Sequence, residues 1–591
     1  MKLRNTTQDV FPLLPPEPIA GEYDIYPVFA LDEADMQIGY RSLADYLARW
    51  KTILIDGFSG ILWEHFTQNL DRELKAKGIQ TCWIHTGSFM KAVPEIDTMV
   101  AGFLGGDDPL FGRRCSLDLE HFFQPDWTEK INAILKNDTG NLQIIWGTGA
   151  FLTGIVGYKV YIDMPKNEII YRARAGAIAN LGHIRPGQSQ AMYKRFYFVD
   201  WQVLNRQKRR WLGEFDLMID GQREDSPVWM SGSDFRHGLD QMTASFVRPR
   251  PWFQPAPWGG TYMKEHFPGL SPDVPNYGWS YDIIAPENGI TFKSGSLSFE
   301  VSFDFLMYHG GARLMGDHVH QQFYCEWPVR INYLDTMDGG NLSVQCHPRT
   351  EYVQKEFNEN FTQDECYYVM DCKNQSRLYL GFQKDINPAT FREDLLDSQR
   401  SGRLLDVEHH VQSLEAKKHG LYLIPAGTIH ASGKDNLVLE ISATTYNYTF
   451  KIYDWQRLDL DGKPRPINIG RAFDNLVFDR RGQYVADHLV SHPTCLTSGE
   501  NWRVIHLPTH EKHFYDVHRI EFTGSVKVDL CEDSFHVLTL AEGKTVTVTA
   551  ANGRQHQMSY LETLIIPFAA GSYTLTGPDG QMSKVLKTFV K

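Results

Sequence analysis

The apolar positions along the chain fall into three regimes. From Lys51 to Phe246, short apolar runs alternate with stretches whose apolar residues recur every three or four positions. TILIDG (Thr52 to Gly57) has the continuous apolarity of a strand buried on both faces. After it Leu62, Phe66, Leu70 and Leu74 step by four, which predicts a helix with one apolar face. CWIHT, LQIIWG and YKVYIDMP read as further strands, and PKNEIIYRARAG as a helix closing on Gly176. Strands separated by helical stretches specify βαβ units and a mainly parallel sheet.

VRPRPWFQPAPWGG (Val247 to Gly260) ends this regime, because each proline removes a backbone donor and restricts the residue before it. A domain boundary is expected there. Trp258 to Tyr484 mixes short strands, Gly/Pro turns and a few helices. Beyond Asn501 the pattern is almost wholly strand and turn, with a hairpin at Asn552-Gly553. LYLIPAGTIHA (Leu421 to Ala431) and TLIIPFAAGSYTL (Thr563 to Leu575) share one design: apolar strand, proline, small-residue turn, strand. Two β-barrels of similar build are therefore predicted. Only the first, which ends in His430 where the second has Ser572-Tyr573, is expected to hold metal. The expected layout is an N-terminal extension (1–50), an α/β domain (51–246), a mainly-β domain with a helical insert (250–485) and a metal-free C-terminal β domain (486–591).

At 591 residues the chain exceeds a single small module, and roughly 150 residues per domain gives three or four. Hydrophobic residues at 42% and charged residues at 22% support large cores and exclude wholesale disorder. The net charge of −13 counts against a nucleic-acid or anionic-membrane partner, since such surfaces demand a basic footprint, but it leaves room for a local cationic pocket. The eight cysteines (Cys82, Cys115, Cys325, Cys346, Cys366, Cys372, Cys495, Cys531) are far apart and form no CxxC pair, and they read as reduced thiols of a cytoplasmic protein. Prolines and acids break the N-terminus before a signal-peptide core develops, and no apolar run has the length of a bilayer span.

Within NLSVQCHPRTEY, strand alternation puts Ser343, Gln345 and His347 on one face, lining a polar cavity. DECYYVMD puts Glu365 and Tyr367 together, and His430 follows a turn. One Gln, one Glu and two His supply borderline and hard ligands in the number zinc needs, with coordination left open for water or substrate. By spacing alone, any one of the chain's 22 histidines is more often a surface or hydrogen-bonded core residue than a ligand.

These stretches resemble class I mannose-6-phosphate isomerases, a family of zinc-dependent cupins. SVQCHP (Ser343 to Pro348) is similar to the family's metal motif, DECYYVMD (Asp364 to Asp371) to its second-ligand strand, and IPAGTIHASG (Ile424 to Gly433) to its third. YDWQRLDLDGKPRPINI (Tyr453 to Ile469) is a longer and more specific match, and PWGG (Pro257 to Gly260) resembles the opening segment. The resemblance runs from about Arg250 to Lys591. It implies a cupin (double-stranded β-helix) domain followed by a cupin-like C-terminal barrel. It also implies one zinc ion per chain held by Gln345, His347, Glu365 and His430, and interconversion of mannose 6-phosphate and fructose 6-phosphate through a cis-enediol. That reaction needs a Lewis acid near the C1 and C2 oxygens, a base to move a proton between the carbons, and cations for the phosphate. The resemblance assigns Lys451 and Arg457 as catalytic and Ser343, Lys463 and Arg465 as substrate-binding, with a hexose 6-phosphate as partner. On spacing alone DLDGKPR reads equally well as a charged surface turn. Two positions depart from the family. Gln363 replaces a customary lysine and loses its charge; Lys451 replaces an arginine and keeps the charge without the bidentate fork.

IDGFSGILWEHF (Ile55 to Phe66) occupies the place of a phosphate-binding loop, which needs GxxxxGK[S/T]. Gly57, Ser59 and Gly60 are kept, but Leu62, Trp63 and Glu64 fall where Gly, Lys and Ser/Thr belong, and a carboxylate repels triphosphate. With GTGAFL (Gly147 to Leu152) and KRFYFVDWQVLNRQKRR, the segment resembles P-loop kinases of the uridine kinase and phosphoribulokinase kind. This implies a degenerate kinase-like α/β domain in which no nucleotide binding is expected and no catalytic residue is assigned. The run Lys194 to Arg210 is read as an amphipathic helix with a solvated charged face. The rival to an active isomerase is a sugar-phosphate sensor or scaffold that has lost turnover.

Overall fold

The computed structural model describes residues 3–138, 140–443, 446–530 and 532–591, so Cys531 lies outside the described residues. The other seven cysteines form no disulfide. No helix among the described residues is long and apolar enough to cross a membrane. The chain divides into two compact units.

The first unit comprises Met1–Pro16, Val28–Met242 and Pro286–Gly310. Its main sheet contains β1 (Met36–Ile38), β2 (Thr52–Gly57), β3 (Thr81–His85), β4 (Leu142–Trp146), β5 (Tyr158–Asp163), β6 (Leu217–Asp220) and β7 (Val228–Ser231). They lie in the order β1-β7-β6-β5-β2-β4-β3. β2 to β6 run parallel, as the pattern predicts, whereas at one edge β7 pairs antiparallel with β6 and β1 antiparallel with β7. The strand Met36–Ile38 and the helix Tyr40–Leu47 lie within this unit. The helix Trp63–Ala76 buries Phe66, Leu70 and Leu74 as its spacing predicts, with Leu62 at its N-cap. The helix Lys166–Arg174 ends before Gly176, whose φ of 67° is left-handed.

The run Lys194 to Arg210 keeps Arg209 and Arg210 on the expected solvated face but departs from it at two residues. Arg195 and Lys208 are buried. Lys208 stands on the apolar stripe of the helix Trp201–Trp211, four residues after Leu204. There its Nζ lies 2.8 Å from Asp163 and 2.6 Å from the Ser302 hydroxyl, while Lys166 pairs with Asp304. The Ser302 amide donates to the second Asp163 oxygen at 2.9 Å. Phe58 lies under both ammonium groups, at 3.9 Å from Lys208 and 5.1 Å from Lys166. Burial in this apolar shell lowers the Lys166 pKa, an effect that Asp304 opposes. Two cations and two carboxylates thus neutralise one another inside the unit.

Ser302 and Asp304 belong to the returning segment Pro286–Gly310, which supplies the antiparallel strands Gly289–Ser294 and Leu297–Ser302. The first of these pairs with Phe29–Ala30. The division between the two units falls at Thr243, and Pro286–Gly310, within the stretch 250–485, belongs to the first unit. GITFKS and LSFEVS read as strands from their own alternation; which sheet they complete is a non-local matter that alternation does not encode.

The second unit comprises Glu17–Pro27, Thr243–Ala285 and Gly311–Lys591. One sheet contains β8 (Trp252–Gln254), β9 (Trp279–Ile283), β10 (Val329–Asp335), β12 (Glu365–Cys372), β15 (Leu421–Ile424) and β17 (Asn436–Ala443), in the order β15-β12-β17-β10-β9-β8. The other contains β11 (Val344–Cys346), β13 (Arg377–Phe382), β14 (Val411–Glu415), β16 (His430–Ser432) and β18 (Phe450–Tyr453), in the order β14-β13-β16-β11-β18. The helix Pro388–Ser401 lies between β13 and β14. The C-terminal region forms a six-stranded and a four-stranded sheet. The hairpin at Asn552-Gly553 joins Thr545–Ala550 to Gln555–Ser559, with Gly553 at φ 86°. Tyr333 donates to the Leu561 carbonyl at 2.6 Å and Tyr515 to the Ile441 carbonyl at 2.8 Å, so both β regions belong to one unit.

Candidate metal centre

Strand β11, next to the edge of its sheet, pairs on both sides at a single residue, Gln345, which lies opposite His430 of β16 and Lys451 of β18. Directly opposed residues point to the same face, so Gln345, His430 and Lys451 form one row. His347 follows β11 by one position, and Glu365 opens β12 in the other sheet. His347, Glu365 and His430 come together with ligand atoms within 4.8 Å of one another. Glu365 Oε1 is 3.2 Å from His347 Nε2 and 2.9 Å from His430 Nε2. Gln345 Nε2 is 3.3 Å from His430 Nε2. All four predicted ligands are buried.

The outer ring nitrogens decide the chemistry. His347 Nδ1 faces the Tyr448 carbonyl at 3.2 Å and His430 Nδ1 the Thr428 carbonyl at 3.0 Å, so both Nδ1 atoms act as donors and both Nε2 lone pairs aim inward. There they meet a carboxylate oxygen. His347 Nε2 and Glu365 Oε1 have no hydrogen-bond partner although both are buried. Convergent lone pairs repel unless a positive charge sits among them. The field says the same: burial lowers the His347 pKa, yet the neighbouring Glu365 carboxylate overcomes this and raises it. Burial likewise pushes Glu365 up, but the two imidazoles hold it well below the usual carboxylate range. A site that draws a proton this strongly also suits a metal cation, and the Gln/His/Glu/His donor set fits zinc.

A polar chain braces the centre. Gln363 donates to both Glu365 Oε2 and Glu440 Oε1 at 3.2 Å. Asn332 donates to Glu440 Oε2 at 3.1 Å, and Arg330 to Asn332 at 2.9 Å. Burial and the nearby Glu365 push the Glu440 carboxyl up to about 7. Gln363 therefore bridges two carboxylates through its amide. Tyr367, on the Glu365 face as predicted, turns its ring edge to His430 with centroids 5.8 Å apart. Reading the sequence missed Glu440, Asn332 and Arg330. The available signal was Glu440 itself, the one ionisable residue of NLVLEISA, in which every position is buried.

The predicted catalytic and substrate residues separate into three places. Lys451 is beside Gln345 on the metal row, where burial pushes its ammonium down to about 8, with Arg465 adding and Asp454 opposing. Ser343, Arg457 and Arg465 gather around Asp454, which accepts from them at 2.8, 2.6 and 2.6 Å. A cavity of about 250 Å³ opens beside Arg457 and Arg465. The structure does not bring Lys463 to this group. It stands exposed on the turn closed by its own amide and Asp459 Oδ1 at 2.7 Å. A second His/Asp/His group, half-buried on the C-terminal region, consists of His506, Asp516 and His518. In it His506 and Asp516 already form an ion pair at 2.8 Å.

Comparison with known proteins adds the following. A domain of unknown function, DUF8485, matches residues 39–244. The mannose-6-phosphate isomerase of Streptococcus mutans is 26% identical over 322 residues, covering 54% of this chain and 92% of its own. Mannose-6-phosphate isomerase ManA of Bacillus subtilis is 26% identical over 233 residues, covering 39% of this chain and 68% of its own. The crystal structure of the mannose 6-phosphate isomerase from Bacillus subtilis aligns with a TM-score of 0.46 at 20% identity, over 58% of this chain and 99% of that one. Over about half its length the chain is thus related to proteins named mannose-6-phosphate isomerase.

In the first unit, the loop after β2 has a different occupant from a phosphate. The Asp56 carboxylate accepts from the amides of Gly57, Gly149 and Phe151 at 2.7, 2.9 and 2.9 Å. Burial pushes Asp56 up to about 6 against the pull of these bonds. Amides from both glycine-bearing segments are consequently spent on the chain's own acid.

Proposed function

We propose that the chain is a zinc-dependent aldose-ketose isomerase interconverting mannose 6-phosphate and fructose 6-phosphate, with its metal in a cupin domain. The observation that carries this reading is the inward convergence of two imidazole Nε2 atoms and Glu365 Oε1, two of these atoms without hydrogen-bond partners, beside Gln345. Zinc held by Gln345, His347, Glu365 and His430 would supply a Lewis acid for the sugar's carbonyl and hydroxyl oxygens. Lys451, in the same row, carries the proton-transfer role; its lowered pKa lets it exchange a proton near neutrality. Arg457, Arg465 and Ser343 supply donors for the phosphate, oriented by Asp454, while Lys463 contributes only charge from the exposed turn. Gln363 and Glu440 hold Glu365 in place. The first unit is read as a kinase-like domain that has lost its phosphate loop, which the order of its five parallel strands and the occupied Asp56 cradle both favour. The scattered free thiols suit a cytoplasmic setting.

The test is metal analysis of the purified protein together with an assay of hexose 6-phosphate isomerisation, before and after chelation and zinc return. One equivalent of zinc and activity that are both lost in His347→Ala and His430→Ala support the proposal. Isomerisation that survives both substitutions refutes it. A second reading, a sensor without turnover, draws support from the engagement of Arg457 and Arg465 by Asp454. Robust turnover of mannose 6-phosphate eliminates it.

A further inference from the structure

We propose that the first unit holds a binding site for an uncharged sugar ring, separate from the metal centre and independent of the function proposed for it. A cleft of about 870 Å³ opens where β2, β3 and β4 end. Its size is that of a small-molecule site, and the carboxyl edge of a parallel sheet is where open α/β units bind ligands.

The chemistry of the walls selects the ligand. His85, at the end of β3, stacks on Trp146, at the end of β4, with centroids 4.0 Å apart and planes 14° from parallel. Trp63, at the start of the helix after β2, stands 5.9 Å from Trp146 at 49°. None of the three rings is buried, so the cleft is walled by the His85–Trp146 stack and by the Trp63 ring inclined to it. Such faces suit the C–H surface of a pyranose. Polar groups stand beside them: the Glu64 carboxylate, and the Ser59 hydroxyl, whose oxygen is buried without a hydrogen-bond partner. A carboxylate and a hydroxyl match sugar hydroxyls, which both donate and accept.

The same walls exclude an anion. No lysine or arginine is among the described residues that line the cleft. The Gly57 amide is occupied by Asp56, and the Phe58 amide donates to the Ile162 carbonyl at 3.1 Å. Glu64 repels any phosphate that enters. The preferred ligand is therefore an unphosphorylated, ring-closed sugar, in contrast to the hexose 6-phosphate of the proposed reaction.

The full-length protein is titrated by calorimetry and saturation-transfer NMR with methyl α-mannopyranoside and methyl α-glucopyranoside, which carry no phosphate and cannot ring-open, and with ATP in parallel. Saturable binding of at least one glycoside is expected. Trp63→Ala and Trp146→Ala should each weaken it about tenfold or more. Trp63→Phe, which keeps a ring, should bind nearly as well as wild type and guards against misfolding as the cause. The His347→Ala/His430→Ala protein should bind the glycoside unchanged, and in that background mannose 6-phosphate should not displace it. Absence of saturable glycoside binding, binding indifferent to both tryptophans, or tighter binding of ATP at Trp63 overturns the proposal. None of these outcomes bears on whether the metal centre turns over its own substrate.

Discussion

Replacing Lys208 with methionine keeps the length and apolar stem of the side chain and removes only the buried charge. In the native unit this ammonium is 2.8 Å from Asp163, 2.6 Å from Ser302 Oγ and 3.4 Å from Asp304, and both Lys208 and Asp163 are 0% exposed. After Lys208→Met, Asp163 keeps the Ser302 amide at 2.9 Å but loses its counter-ion. Removing one partner of a buried ion pair costs about 3–5 kcal/mol, because the remaining charge is stranded in a medium that solvates it poorly. At about 2–4 °C per kcal/mol for a domain of this size, the unfolding transition of the first unit should fall by about 6–20 °C. Scanning calorimetry measures the shift, and hydrogen exchange of the β5 amides assigns it to this unit. Adding Asp163→Asn to Lys208→Met should recover part of the loss, since it removes the stranded charge and not a satisfied pair. A Lys208→Met protein that melts within about 2 °C of wild type, or a double variant less stable than the single, would refute the reasoning.

Three further outcomes are expected. Lys451→Ala should lower kcat about 10²–10⁴-fold with unchanged zinc content, whereas loss of the metal instead would give Lys451 a role in building the site and not in moving a proton. Arg465→Ala should raise KM for hexose 6-phosphate about tenfold, a charge-assisted contact being lost, with little change for an unphosphorylated ketose; an unchanged KM removes Arg465 from the phosphate site. Asp335, buried beneath the amides of Met263 and Met337 at 2.9 Å each, has its carboxyl pushed up to about 7, burial outweighing those bonds. Its folded pKa lies above the unfolded one, so its contribution to stability is full below about pH 4 and is lost as pH rises to 7. The stability of wild type relative to Asp335→Asn should therefore fall by up to about 1.4 kcal/mol per pH unit across that window in urea titrations, and a pH-independent difference contradicts the assignment.

The parallel strands were legible because a strand buried on both faces leaves a continuous apolar run, as TILIDG does. The cluster of His347, Glu365 and His430 was legible for a different reason: these residues, with Gln345, sit in segments whose order and spacing resemble a known family. Neither source of information reaches the residues that brace the site. Arg330, Asn332 and Glu440 meet through the pairing of β10 with β17, a contact between positions more than a hundred residues apart. Lys208 was misread because a run of basic residues suggests a solvated face. Its place on the stripe with Trp201 and Leu204 was the contrary signal, and the partner that makes burial possible, Asp163, lies on another element. Lys463 shows the opposite case, a residue of the same motif that stands exposed on a turn apart from Arg457 and Arg465.

The return of Pro286–Gly310 to the first unit sets a timetable for synthesis. A chain elongating at about 5–20 residues per second completes Met242 roughly 3–14 s before Gly310. During that interval Lys166 has no Asp304, and Lys208 has Asp163 but neither Ser302 nor Asp304, so the helices that carry them wait with one ammonium group unmatched and an unfinished core. Maturation of the first unit is thereby coupled to translation of a stretch encoded within the second. A fragment ending near residue 245 would remain arrested at this stage, a client for chaperones on the ribosome and in an expression host alike.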